Sequence, residues 1–190
     1  MTSPIRICAA LLPLAALAAA SPAYHYRLDG AASDVSARVS YFGLGHKTAR
    51  FPVMRGSIRI VPDRLDAIDL DVELDARALT GGSKTDTDYL KGKAFFDVAH
   101  YPVVRFTGQR MAMTGPQTAR VEGQITARGI TRPSALTVTF AAPPSRATGR
   151  MPIDLTATTT INRRDFGMTS YGVIVGKNVA ITIRARLVPD

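Results

Sequence analysis

The chain has 190 residues, of which 24 are lysine or arginine and 15 are aspartate or glutamate, so its formal net charge is +9. Its single cysteine is Cys8, so a disulfide framework and a zinc site built from several cysteines are both excluded. The basic residues are scattered singly, without the interleaved aromatic side chains of a base-stacking surface, and we expect no nucleic-acid partner. The positive charge instead fits a solvated basic face, or transient contact with an anionic membrane surface.

Residues 1–23 are predicted to be a signal peptide. Arg6 precedes an apolar run from Ile7 to Ala20, and the small residues that follow suit signal peptidase. The run is shorter than the roughly 20 residues that span a bilayer. We therefore expect cleavage before Tyr24, export to the periplasm, and one mature domain over residues 24–190 that contains no cysteine.

An alternation of apolar and polar residues predicts antiparallel strands along most of this domain. In "AIDLDVELDA" (67–76), every second residue is apolar and the residues between them are acidic, as in a strand with one buried face. Further strands are predicted near residues 35–42, 51–60, 104–106, 121–127, 136–140, 153–161 and 179–187. About eight short strands of this kind indicate an all-β barrel or sandwich, and the pattern alone does not choose between them.

One connection, near residues 84–100, has neither a clean strand alternation nor a clean helical stripe. A short helix is predicted here, with Thr85 or Asp86 as its N-cap and with Tyr89 and Leu90 as an inward-facing pair. Two adjacent phenylalanines, at positions 95 and 96, follow this segment. By contrast, the Gly43-Leu44-Gly45 stretch and His46 beside it are expected to form a loop.

No catalytic or metal-binding constellation stands out. The segment "RRDFGM" (163–168) contains the Asp-Phe-Gly triplet of protein kinases, but the other kinase motifs are missing. It is better explained as a turn, with Gly167 at the bend and with Phe166 and Met168 packed inward. The three histidines are far apart and have no cysteine companions, and the chain has no Gly-x-Ser-x-Gly elbow.

Three segments resemble the YceI-like family, in the same order and at similar separations. They are "DYLKGKAFFDVAHYPVVRFTG" (88–108), "ITARGITRPSALTVTF" (125–140) and "ATTTINRRDFGM" (157–168). The resemblance implies a lipocalin-like antiparallel β-barrel of an exported protein, and it selects barrel over sandwich. It also implies that the barrel holds a long apolar ligand such as a polyisoprenoid, an isoprenoid quinone or a fatty-acid derivative. Phe95 and Phe96 would then lie beside the barrel mouth, one ring sealing the core and the other facing the ligand.

This resemblance leads us to expect a non-enzymatic carrier or sequestering protein, with no cofactor apart from such a lipid. The residues expected to face the ligand are the inward positions of the predicted strands and connection: Phe51, Ile58, Leu70, Val72, Phe96, Val104, Phe106, Ile125, Leu136, Val138 and Phe166. Small inward residues, namely Gly123, Ala127, Ala157 and Ala185, favour a cavity over a filled interior.

Two other functions stay open at this point. The first is an enzyme acting on a bound isoprenoid, with Asp97, His100 or Asp165 as acid or base. The second is an envelope interaction protein with a filled barrel, because eight strands can enclose an interior that their own side chains fill. The sequence does not decide between a tunnel and a packed core, and it leaves a homodimer open.

Overall fold

The computed structural model describes residues 22–190, so the predicted signal peptide lies almost wholly outside the described residues and stays a prediction. The described chain forms one antiparallel sheet of ten strands. The strands are β1 (Tyr24–Leu28), β2 (Asp34–Tyr41), β3 (Gly45–Arg50), β4 (Met54–Ile60), β5 (Ala67–Asp75), β6 (Val103–Met113), β7 (Thr118–Ala127), β8 (Ile130–Phe140), β9 (Ile153–Asn162) and β10 (Val175–Pro189). One helix, α1 (Lys84–Lys91), lies between β5 and β6.

The sheet closes on itself to form a barrel. From β4 to β10, each strand pairs with the next along the chain, and β1 joins the two ends by pairing with both β4 and β10. The hairpin of β2 and β3 adds two strands, because β2 pairs with β10 just beyond β1. The predicted fold is thereby confirmed as a closed eight-stranded antiparallel barrel with two extra strands and one helix.

All eight predicted strands are present, but β1 and β3 were not predicted. The expected loop around His46 is wrong, since His46 lies in β3 and pairs with Ser40 of β2. A tight turn makes this pairing possible: Phe42 and Gly43 both adopt positive φ angles, of 52° and 70°. The strand could not be predicted from an alternation of apolar and polar residues, because only one of its residues, Ala49, is buried.

Helix α1 lies within the connection where a helix was predicted, but its cap differs from the prediction. Ser83 is the N-cap, and its side-chain oxygen accepts a hydrogen bond of 3.1 Å from the backbone N–H of Asp86. Thr85 and Asp86 already belong to the first helical turn, so neither serves as the cap. Leu90 packs against a buried cluster made of Val35, Ala49, Phe51, Ala76 and Leu79, whereas Tyr89 is 54% exposed. Within residues 22–190, no helix has the length and apolar character needed to cross a membrane.

One end of the barrel is filled by its own side chains. This packed half joins buried residues of eight strands, namely Tyr26, Ile58, Ile60, Ile68, Met111, Ala119, Val121, Leu136, Val138, Phe140, Ile153, Ala157 and Leu187. It lies toward the β6–β7 turn and the long β8–β9 loop, where the Tyr26 hydroxyl accepts a hydrogen bond from the backbone N–H of Gly149. The opposite end is not filled in this way.

Candidate ligand-binding site

A cavity of about 430 Å³ occupies the other half of the barrel. Its walls are apolar side chains that point inward from seven strands: Val35, Ala37, Val39, Ala49, Leu74, Val104, Ile125, Ala127, Ile161, Val175, Val179 and Ile181. Connecting segments cover it, namely α1, the two phenylalanines that follow α1, and the β9–β10 loop. The barrel therefore has a packed half and a hollow half, stacked along its axis.

Phe106 marks the boundary between the two halves. Its ring packs against the packed half and also against a second cluster, made of Ile125, Ala127, Phe166 and Met168, on the cavity side. It is not itself part of the cavity wall. A large ring at this depth closes the inner end of the hollow half.

The small inward residues do not all make room for a ligand. A β-carbon placed on Gly123 would lie 2.8 Å from Cζ of Phe106, so the missing side chain accommodates that ring. Ala157 is buried in the packed half. Only Ala127 of these residues belongs to the cavity wall, while Ala185 does not. Gly123 and Ala157 therefore do not make room for a ligand: the β6 backbone and the Phe106 ring occupy the space beside Gly123, and Ala157 is buried among the side chains of the packed half.

The residues predicted to face the ligand divide between the two halves. Phe51, Phe96, Val104 and Ile125 line the cavity. The others do not line it: Ile58, Leu70, Leu136 and Val138 belong to the packed half or lie against it, Phe106 and Phe166 pack behind the wall, and Val72 is half-buried beside Gly56. Alternation in a strand reveals which face points inward but not the depth along the barrel axis, and depth separates these groups.

Phe95 and Phe96 both line the cavity. The ring of Phe96 meets Phe51 edge to face at a centroid distance of 5.6 Å, which ties the connection to β3 and β4. The ring of Phe95 is stacked on Tyr171 of the β9–β10 loop at 5.9 Å. Phe96 also packs against two clusters of buried residues and Phe95 against neither, so Phe96 is the core ring of the expected pair, although both rings line the cavity and join separate parts of the chain over it.

Arg163 is a cavity residue that the sequence analysis missed. It is only 3% exposed, and it donates hydrogen bonds to the backbone carbonyls of Met168, Val175 and Gly176, the last two at 2.9 Å. No ion pair among residues 22–190 includes it. Burial lowers the pKa of its guanidinium, with a smaller contribution from the charge of Arg164. The sequence offered no signal, because arginine is ordinarily a surface residue.

An ion pair joins two sides of the cavity mouth. Nζ of Lys47 on β3 lies 2.9 Å from a carboxylate oxygen of Asp86 on α1, and it also lies 5.1 Å from the centre of the Tyr41 ring. The hydrogen bond to Asp86 raises the pKa of Lys47, and burial acts in the opposite direction without cancelling it. All three side chains line the cavity. The pair therefore fastens α1 to the β2–β3 hairpin across the mouth.

The acid or base candidates of the enzyme hypothesis lie outside the cavity. His100 and Asp97 are hydrogen-bonded to each other, Nδ1 to Oδ1 at 3.0 Å, and neither lines the cavity. Asp165 is exposed on the outer surface. Within residues 22–190, no group of three or more histidine, cysteine, aspartate or glutamate side chains is arranged to hold a metal ion.

Residues 26–187 match the sequence profile of the YceI-like domain, which is almost the whole barrel. The chain belongs to the YceI-like family. Its relatives include a UPF0312 protein of Pseudomonas syringae pv. tomato, 27% identical over 144 residues that make up 76% of this chain and 75% of the relative. A UPF0312 protein of Pseudomonas putida strain GB-1 is 28% identical over 152 residues, 79% of each chain.

Solved structures share the YceI-like barrel. BcnA of Burkholderia cenocepacia superposes with a TM-score of 0.74 at 21% identity, over 84% of this chain and 98% of that one. A polyisoprenoid-binding domain of Saccharophagus degradans, implicated in plant cell wall breakdown, superposes with a TM-score of 0.67 at 14% identity, over 87% and 98% of the two chains. At these identities the similarity establishes the fold.

Proposed function

We propose that this YceI-like protein binds a long apolar molecule in the hollow half of its barrel and acts as a non-enzymatic carrier or sequestering protein in the periplasm. The observation that carries the proposal is the cavity of about 430 Å³ with walls of aliphatic and aromatic side chains. Small-molecule sites typically enclose about 300–1,000 Å³ and are lined mainly by such groups. Burial of hydrocarbon from water is the driving force that this lining offers.

The distribution of polar groups supports a ligand with a hydrocarbon tail and a more polar end. The wall formed by the strands is mainly apolar. Its polar exceptions include Lys47 and Thr48 of β3; Lys47 and Asp86 lie at the mouth, and Arg163 lies beneath Phe95. A polyisoprenoid, an isoprenoid quinone or a fatty-acid derivative would place its tail against the strands and its polar end toward these residues. The polyisoprenoid-binding neighbour from Saccharophagus degradans supports the same class.

The ionisable groups of the cavity support binding over catalysis. Asp86 is bonded to Lys47, and all three guanidinium nitrogens of Arg163 donate to backbone carbonyls. A general acid or base must instead reach the proton that it transfers. The alternative function, an envelope interaction protein, requires a barrel filled by its own side chains, and only the packed half of this barrel is filled in that way.

The test is mass spectrometry of an organic extract from protein purified out of the periplasm without detergent. We expect one long-chain apolar molecule per barrel, unchanged after incubation. An extract without such a molecule, together with no uptake of added isoprenoid or fatty-acid derivative, would overturn the proposal, and chemical conversion of an added ligand would favour the enzyme.

Intact mass of the same sample tests export, since we expect the chain to begin at or near Tyr24 and a mass that retains Cys8 would contradict cleavage there.

A further inference from the structure

We propose that the cavity mouth docks on an anionic lipid bilayer through an apolar rim. The rim consists of the exposed apolar and aromatic side chains around the mouth: Phe42, Leu44, Tyr89, Tyr171 and Val173. The inference rests on the proposed function, since a bilayer is a source and a destination for a ligand with a long hydrocarbon tail. It adds the surface through which that ligand enters or leaves.

The most exposed side chains of the rim lie on two neighbouring turns. Leu44 is 97% exposed at the tip of the β2–β3 hairpin, and Val173 is 99% exposed in the loop that leads into β10. The backbone N–H of Phe42 donates to the carbonyl of Ile174 at 2.8 Å, so the two turns lie side by side. Together they present apolar side chains to solvent at one end of the barrel.

The rim borders the cavity opening itself. Tyr89 of α1 and Tyr171 of the β9–β10 loop both line the cavity and are both exposed, with their ring centres 6.1 Å apart. The two rings pack edge to face at the edge of the opening, and Val173 follows Tyr171 in the same loop, so a tail leaving beside this pair would emerge next to the two apolar turns. Tyrosine suits this place because its ring favours the interface between hydrocarbon and water.

The charges beside the rim are mainly positive. Lys177 is exposed two residues after Val175, the residue that pairs with Tyr41. The guanidinium of Arg164 lies against Gly172 in the loop of the rim. No salt bridge of the described chain includes Lys177 or Arg164. Two exposed acids lie beside the rim, namely Asp165 and Asp88, and Asp88 is paired with Lys84. Exposed cations around apolar tips complement a surface of anionic lipids.

The same features disfavour a second copy of the chain as the partner. A two-fold contact through the rim would gather Lys177 and Arg164 of both copies in one interface, so that their like charges would oppose the association. Leu44 and Val173 are also single side chains on projecting turns, and they do not form the broad complementary surface of a stable dimer. Single apolar tips can, in contrast, enter the headgroup region of a bilayer.

The experiment is vesicle co-sedimentation of a chain beginning at Tyr24, which retains every strand pairing of the barrel and lacks the apolar run that would itself bind vesicles. The vesicles contain phosphatidylcholine alone or with about a third phosphatidylglycerol. The test variant is Leu44→Ser with Val173→Ser, and the matched control is Met151→Ser, an exposed apolar residue of the β8–β9 loop at the opposite end. A third variant, Arg164→Gln with Lys177→Gln, removes two cations.

We expect the parent and Met151→Ser to bind anionic vesicles and to lose binding as salt rises. The Leu44→Ser, Val173→Ser variant should bind about tenfold more weakly or worse, and each removed cation should weaken binding about fivefold at low salt. The proposal is overturned if the parent does not bind the vesicles, or if the rim variant and the control variant bind equally. It is also overturned if the parent binds no vesicles but forms a dimer, and the rim variant is a monomer. Extracted ligand is measured on the same samples, so failure of docking is distinguished from failure of ligand binding.

Discussion

Phe106 fills the space that the missing side chain of Gly123 leaves on the neighbouring strand. A β-carbon on Gly123 would lie 2.8 Å from Cζ of Phe106 and 2.1 Å from the carbonyl oxygen of Thr107. The ring lies diagonally across the β6–β7 pair, since Phe106 is opposite Ile125 and Gly108 is opposite Gly123. The inner end of the cavity depends on this fit between a ring and a glycine.

Replacement of Gly123 by alanine should therefore destabilise the barrel. The new methyl group forces the Phe106 ring and the β6 backbone to move, at a cost of about 1–3 kcal/mol in the free energy of unfolding. Denaturant unfolding measures this change. Gly45→Ala is the control, because its β-carbon would have no neighbour closer than 3.8 Å. Equal stability of the two variants would contradict the close fit.

Asp86→Asn should open the mouth without unfolding the barrel. The substitution removes the ion pair that joins α1 to β3, so we expect faster hydrogen exchange over residues 84–91 and faster ligand release. Asp88→Asn is the control, since Asp88 pairs with Lys84 within the same helix. If both variants release the ligand at the rate of the parent, the pair does not hold the mouth.

The same ion pair predicts how retention depends on alkaline pH. Asp86 raises the pKa of Lys47 above 10.5, so the lysine binds its proton more tightly in the folded chain. The contribution of the pair is therefore fully present below that pH and is lost as the pH rises through the raised pKa. Ligand release should stay constant from neutral pH to about pH 10 and then accelerate, and the Asp86→Asn variant should lack this acceleration.

Arg163→Met should destabilise the protein by about 3 kcal/mol or more, because the methionine leaves three backbone carbonyls without their charged donor. Thermal unfolding of ligand-free protein measures the loss. Arg164→Met is the control, since Arg164 is exposed and its removal should change stability by about 0.5 kcal/mol or less. Equal melting temperatures would show that Arg163 does not hold the β9–β10 loop.

Much of the barrel could be predicted from the alternation of residues, because a strand with one buried face has an apolar residue at every second position. Ile125 and Val138 were both correctly placed on an inward face. Their different surroundings could not be predicted, since the strands show the same alternation at the packed end and at the hollow end of the barrel. Which half each residue occupies depends on strand length and register, as with Phe106 and Gly123.

The polar residues of the cavity could not be predicted for a different reason. Lys47 and Asp86 are 39 positions apart and meet only through the placement of α1 against β3. Arg163 is buried by a turn that its own hydrogen bonds hold together, which no local pattern reveals. The Asp-Phe-Gly segment was correctly predicted to be a turn with Phe166 and Met168 inward, and Gly167 has a φ of 75° there.

The central claim, that one half of the barrel is a ligand cavity and the other a packed core, predicts opposite responses to the same substitution. Ile125 lines the cavity and Val138 lies in the packed half, and both face inward. Tryptophan at position 125 should enter empty space, whereas tryptophan at position 138 should overpack the core by about 1–3 kcal/mol. For a domain of this size, each kcal/mol lowers the melting temperature by about 2–4 °C.

The decisive measurement pairs the melting temperature of ligand-free protein with the amount of extractable ligand per barrel, for Ile125→Trp and Val138→Trp. We expect Ile125→Trp to melt close to the parent and to lose most of its ligand, and Val138→Trp to melt lower while the molecules that fold keep theirs. An Ile125→Trp protein that is destabilised and still retains its full complement of ligand would contradict the account.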